Sequence, residues 1–278
     1  MILPPMASYA PGHAASQTKH HEWRTAENSA AHLLPHLDTL ARTKPNLKLL
    51  DVGAGSGTIS AGLAAHIPHG SVLATDIFDD ILTRAAAHAT SLGITNISFQ
   101  RASLPHLPFP DGAFDVVHAH QVLTHLSDPA GAVRELVRVC APGGLVALRE
   151  VDMHMWCFWP AVDALQKFQG LMADVLVANG GQDEAGRRLV SYALAAGVER
   201  NRVEAGFGTW CYSAREDRKA WGGSMIERLK TSQMRSKGIE LGIVTEEGVG
   251  EMIKAWEQWI ENDEATLGIM NGEVIIKK

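Results

Sequence analysis

The sequence predicts an α/β fold in which a mostly parallel sheet carries helices on both faces. Three observations lead there. Short apolar runs alternate with helical patterns from residue 47 to about 150, a glycine-rich turn follows the first of these runs, and an acidic residue closes the second. Such alternation describes successive βα units, and right-handed crossovers bring the carboxyl ends of their strands to one edge, where open α/β sheets bind ligands.

The first element is the most informative. Residues 47–57 read Leu-Lys-Leu-Leu-Asp-Val-Gly-Ala-Gly-Ser-Gly. The run 47–52 is a buried strand, and Gly53, Gly55 and Gly57 let the chain turn beneath a ligand with no Cβ in the way. A helix follows over 58–66. A dinucleotide fingerprint requires Gly-x-Gly-x-x-Gly, whereas here the third glycine comes one residue early and Asp51 precedes the turn. That spacing favours a ligand with an adenosine and an amino-acid portion over one with a pyrophosphate. The second strand, 71–76, ends in Asp76, about 20 residues after the turn, where an acid accepts hydrogen bonds from a ribose diol. Capping the helix over 79–92 is a compatible role for the same residue.

Further strands are expected over 97–100, 114–119 and 144–150, with a helix over 129–139. Before the sheet, 20–40 has helical spacing, and Trp23, Ala26, Ala30, Leu33 and Leu34 share a face suited to a cap packed over the sheet edge. After residue 150 comes Met153-His-Met-Trp-Cys-Phe-Trp-Pro160, too rich in aromatic rings and sulfur for an exposed loop. Helices are then expected over 161–179, 183–196, 215–236 and 245–262. Strands over 202–213 and 269–277 would complete a seven-stranded sheet as an antiparallel pair. The chain is expected to be one domain. Residues 1–45 form its N-terminal cap, 46–150 its ligand-binding core, and 151–278 a second cap with the last strands.

Composition narrows the function. The 278 residues are 46% hydrophobic, enough for a large core, and a net charge of −6 offers no basic footprint for nucleic acid. Cys140, Cys157 and Cys211 lack paired metal-ligand spacing and read as reduced thiols, so no metal is expected. The start has no cationic n-region, and no stretch reaches about 18 uninterrupted apolar residues. A cytoplasmic protein without a membrane span is expected, as monomer or homodimer.

Four ordered motifs carry a resemblance. They are Asp51-Val-Gly-Ala-Gly-Ser-Gly57, Asp76, Leu107-Pro-Phe-Pro-Asp-Gly-Ala-Phe-Asp115 and Leu136-Val-Arg-Val-Cys-Ala-Pro-Gly-Gly144. The chain resembles class I S-adenosylmethionine-dependent methyltransferases, in particular the branch similar to ubiquinone/menaquinone-biosynthesis methyltransferases and their small-molecule relatives. The resemblance is strong over 24–150 and diffuse beyond. It implies a Rossmann-like sheet and S-adenosyl-L-methionine as cofactor.

It also implies roles. Gly53 and Gly55, with Ala54 between them, would approach the methionine and ribose portions, and Asp51 would support the loop or meet the amino group. Asp76 would hold the ribose hydroxyls and Ile77 would lie against the adenine. Where the family commonly has Gly-Asp-Ala, this chain has Ala102-Ser103-Leu104, so a serine hydroxyl stands in for the acid that accepts from the adenine amino group. His120 and Gln121 match the position beneath the methionine end. Gln17, His21, Arg24 and Thr25 belong to the segment that closes over the cofactor in relatives, with Arg24 a candidate for the methionine carboxylate.

Methyl transfer asks mainly for in-line geometry and exclusion of water. If the acceptor must lose a proton, His120 or His154 is the candidate base, and transfer without a protein base stays open. His125 reads as structural. Met153, Trp156, Phe158 and Trp159, with Trp210 from a later strand, offer walls for a small hydrophobic acceptor, aromatic, quinone-like or polyketide-like. Two further readings keep the fold and cofactor without transfer: a cyclisation or rearrangement beside the sulfonium charge, and a regulatory binding protein.

Overall fold

The computed structural model describes residues 23–278, so Gln17 and His21 lie outside the described residues. One sheet holds seven strands: β1 (Lys48–Val52), β2 (Ser71–Asp76), β3 (Ile97–Arg101), β4 (Phe114–His120), β5 (Cys140–Trp159), β6 (Val203–Tyr212) and β7 (Thr266–Lys277). Their order is β3-β2-β1-β4-β5-β7-β6. The first five run parallel, and β7 lies antiparallel between β5 and β6. The helices are α1 (Ala26–Ser29), α2 (Leu34–Thr43), α3 (Thr58–His66), α4 (Asp79–Ser91), α5 (Pro129–Val139), α6 (Asp163–Ala178), α7 (Ala185–Ala195), α8 (Arg215–Thr231), α9 (Gln233–Glu240) and α10 (Glu246–Glu261). None is long and apolar enough to cross a membrane.

Period-two alternation sends neighbouring strand residues to opposite layers. On β1, Leu49 packs with Ile59 and Leu63 of α3, whereas Leu50 and Val52 pack with Val133 and Leu136 of α5 and Leu189 of α7. A third apolar cluster lies beyond the parallel strands. There Val151, Phe158, Trp210 and Ile269 from the three long strands meet Phe168, Met225, Trp256 and Trp259 from the helices that follow.

Three expectations need correction. The helix expected over 20–40 is two helices, because Ala30 leaves helical geometry and the chain restarts with Pro35 in the first turn of α2, where a missing N–H costs nothing. Ala26, Ala30, Leu33 and Leu37 then pack on a face of the sheet against α3, not over its edge. The helix expected over 215–236 breaks at Ser232, whose extended backbone ends α8 and whose hydroxyl accepts from Met234 N to cap α9. Finally, residues 151–159 are no separate cap segment. They continue β5, because β7 begins early enough to pair with Trp156, Cys157, Phe158 and Trp159.

Helix α7 lies close on the long strands. A Cβ on Gly272 of β7 would stand 1.8 Å from the Gly186 carbonyl oxygen, and one on Gly186 would stand 2.7 Å from the Glu150 carbonyl oxygen. Neither backbone can yield without separating the helix from the sheet. Gly272→Ala is therefore expected to destabilise the fold by about 1–3 kcal/mol or more, read as a lower urea midpoint, whereas Gly206→Ala, whose Cβ meets nothing within 4 Å, stays near the unaltered protein.

Candidate active site

The cradle follows directly from the turn after β1. Gly53, Gly55 and Gly57 all take positive φ, at 73°, 54° and 75°. Gly53 is also a close approach, since a Cβ there would stand 2.4 Å from Val122 Cγ2. The N–H groups of Gly53 and Ala54 donate to the Thr75 carbonyl at 2.8 and 2.9 Å, which pins the turn to the end of β2. Asp76 closes that strand. Its carboxylate accepts from Gly55 N at 3.1 Å and from Ile77 N at 2.7 Å, so turn and acid are one unit. Ala102 donates its N–H to the Asp76 carbonyl at 3.0 Å, which brings Ala102 and Ser103 beside the acid. Asp51 is buried, with one oxygen on the Ser60 hydroxyl at 2.5 Å and the other 2.7 Å from His118 Nδ1, and so braces the loop from below.

Gln121 marks the next wall. It stands at the carboxyl end of β4 with φ 53°, the sole non-glycine positive φ among the described residues. Such a conformation costs about 1 kcal/mol or more and persists where surrounding contacts hold it. Here Gln121 N donates to the Arg149 carbonyl at 2.8 Å, its side chain donates to Asn271 Oδ1 at 3.2 Å, and its Oε1 accepts from Arg24 at 2.7 Å. Arg24 is held from the other side by Trp210. The guanidinium lies 5.1 Å from that ring, and Trp210 Nε1 donates to the Asn28 carbonyl at 2.8 Å. Asn28 in turn is set by a capping box with Thr25. His120 packs 5.6 Å from the Trp210 ring, and neither of its nitrogens meets a partner among the described residues. Burial first, then the Arg24 and Arg149 charges, push its imidazole well below the usual histidine range.

Beyond Arg24 and Gln121 opens a chamber of about 100 Å³. Of the expected substrate residues Met153, Trp156 and Trp210 line it, as does Trp221, which the sequence also offers as a wall, and the structure adds Arg228, Met172 and His125. His125 is pushed down to about 4 by burial and by the Arg228 and Arg24 charges. Arg228 escaped the sequence reading, although one signal was there: it shares the buried side of α8 with Trp221, Met225 and Leu229, where an arginine needs a reason.

Other candidates fall elsewhere. His154 has a half-exposed side chain and stands 2.8 Å from Asp183, outside the residues that line the chamber. Trp159 is 60% exposed at the end of β5, where its carbonyl accepts from Trp259 Nε1. Phe158 packs edge-on against Trp256 in the cap core. Asp152 is taken by Arg187, which approaches both of its oxygens. Glu150 is buried beneath the β4 end, where it accepts from the N–H groups of Val122, Leu123 and Thr124 at 2.8 to 3.1 Å.

The seven-stranded, mostly parallel sheet is the Rossmann-like methyltransferase fold that the resemblance implied. Comparison with known proteins agrees. The family model described as a methyltransferase domain matches residues 50–148. An uncharacterized methyltransferase of Schizosaccharomyces pombe is 30% identical over 97% of this chain and 96% of its own length. The probable methyltransferase ltbC of Aspergillus luteorubrus is 26% identical over 98% of this chain and 97% of its own. Among solved structures, a candidate methyltransferase of Bacillus halodurans shares the fold with a TM-score of 0.55, at 21% identity over 88% of this chain and 98% of that one.

The chain belongs to the methyltransferase family. Its methyl donor is S-adenosyl-L-methionine. The residues present fit that group. A Cβ at Gly55 would meet nothing within 4 Å, so the outer side of the turn is open, and the half-buried Asp76 carboxylate stands at the rim of that opening.

Burial raises the Glu150 carboxyl from 4.5 to about 7, against the pull of its three backbone donors. Between these two values the folded protein holds a proton that the unfolded chain has released, so the stability contributed by Glu150 falls as pH rises through that window. Relative to Glu150→Gln, the unaltered protein is expected to lose about 1–3 kcal/mol across it, measured by urea unfolding at a series of pH values.

Proposed function

We propose that the protein transfers a methyl group from S-adenosyl-L-methionine to a small hydrophobic acceptor, aromatic, quinone-like or polyketide-like, held in the chamber beyond Arg24 and Gln121. The observation that carries this reading is that the chamber shares its wall with the cradle: Gln121 follows the end of β4 beside the glycine turn and also lines the chamber. The Leu107–Asp115 and Leu136–Gly144 motifs keep the chain near the ubiquinone/menaquinone-biosynthesis branch in this reading.

Bound cofactor supplies an activated methyl sulfonium. Gly53, Ala54 and Gly55 let backbone approach its methionine and ribose portions, and Asp76 accepts from the ribose hydroxyls. Ile77, Ala102 and Ser103 border the adenine, with the serine hydroxyl accepting from the amino group. Arg24 meets the methionine carboxylate, while His120 and Gln121 close the floor near the methyl group. Met153, Trp156 and Trp210 shape the acceptor side and exclude water. Both imidazoles near the reaction are poor proton acceptors at neutral pH, because burial and nearby guanidiniums hold them down. Catalysis accordingly rests on alignment of acceptor and methyl group.

Calorimetric titration with S-adenosyl-L-methionine tests the donor half. Asp76→Ala is expected to weaken binding by about 10- to 100-fold, the worth of a hydrogen bond to a charged group, with Asp76→Asn in between. Equal affinity in all three proteins, or no binding to any, sinks the reading. For the acceptor half, turnover with hydrophobic phenols, quinones, thiols and amines is followed by mass spectrometry, and a product heavier by one methyl group is expected.

A further inference from the structure

We propose that the acceptor carries a carboxylate and that Arg228 selects it. This rests on the methyl-transfer reading above and adds a charge to the acceptor. Arg24 and Arg228 both line the chamber, and among the described residues no aspartate or glutamate does. Their placements differ. Arg24 is turned toward the cofactor side, with its hydrogen bond to Gln121 and its contact with Trp210. Arg228 enters from α8 among apolar neighbours and is 8% exposed. Its helix ends just beyond it, where the Ser232 hydroxyl donates to the Arg228 carbonyl at 2.7 Å and accepts from Met234 N at 3.2 Å, so the break between α8 and α9 holds the arginine in place.

The chamber wall also carries His125 and Ser232, and most of the rest is apolar, with Trp156, Trp221, Met153 and Met172 among it. The charge of Arg228 is felt inside, since after burial it is the largest influence that holds the His125 imidazole down. A planar guanidinium offers parallel N–H donors that match a carboxylate, and hydrogen bonds to an ionised acceptor are about twice as strong as neutral ones. Aromatic faces and thioethers suit a flat apolar body. Carboxylate against Arg228, with its ring against the chamber tryptophans, orients an acceptor toward Gln121 and the methyl group.

The test compares 4-hydroxybenzoate with 4-hydroxybenzamide, which match in shape and differ in charge. Each is titrated into full-length protein saturated with S-adenosylhomocysteine, and the fluorescence of the chamber tryptophans is followed. The acid is expected to bind about tenfold or more tightly than the amide. In Arg228→Gln that ratio is expected to fall near one, with retained S-adenosylhomocysteine binding as the control for folding. Arg228→Lys, which keeps the charge but loses the fork, is expected to lie between. Equal binding of acid and amide to the unaltered protein, no binding of either, or an undiminished preference in a folded Arg228→Gln overturns the proposal. The ratio in the unaltered protein decides even where the variant does not fold. Loss of the acid preference with S-adenosylhomocysteine still bound removes only the carboxylate acceptor, whereas failure of S-adenosylhomocysteine to bind removes the methyl-transfer reading with it.

Discussion

From Leu145 to Val151, β5 pairs with β7 inside the sheet, and from Trp156 to Trp159 it pairs with β7 again, after a shift in register. The second stretch supports the rest of the site. It extends three strands past the ends of their parallel neighbours, and the exposed apolar side of that extension has to be covered. The helices after residue 160 cover it, with Phe168, Trp256 and Trp259 packed on Phe158, Trp210 and Ile269. Cap and sheet are thus joined through continuous strands, and the chamber is the space left where this second core meets the ends of β4 and β5.

That junction is also where polar groups are buried. Glu150 gives its carboxylate to three backbone N–H groups at the turn after β4, which fixes Val122 against the glycine loop and aims Gln121 at Arg24. Arg24 and Arg149 both lie 5.1 Å from the Trp210 ring, and Arg149 also pairs with Glu273. A desolvated charge is costly without such partners. The result is a wall between cradle and chamber made of residues from five places in the chain, each held by at least one of the others.

Legibility in the sequence followed the range of the interactions. Strand β2 and helices α3 and α5 lie where periodicity put them, because apolar spacing and turn residues a few positions apart decide them. Asp76 and the glycine turn were readable together, since their relation is set by adjacent strands. The single helix that amphipathic spacing predicts over 20–40 is split because Pro35 restarts it, and the one predicted over 215–236 is split because Ser232 caps a second helix inside the apolar pattern. The aromatic run offers Trp159 as a wall, and nearness to the sheet edge offers His154 as a base. Register across β5 and β7 turned the first to solvent, and Asp183 took the second.

Sequence alone therefore determined the cradle, whose backbone turn and acid depend on residues close together or on neighbouring parallel strands. The chamber beside it was decided by tertiary structure. Arg24, Gln121, Trp156, Trp210 and Arg228 come from separate elements, and their meeting depends on the β5–β7 register, on the cap core and on a helix break. No local pattern encodes such a convergence, because each residue is placed by burial elsewhere in the fold.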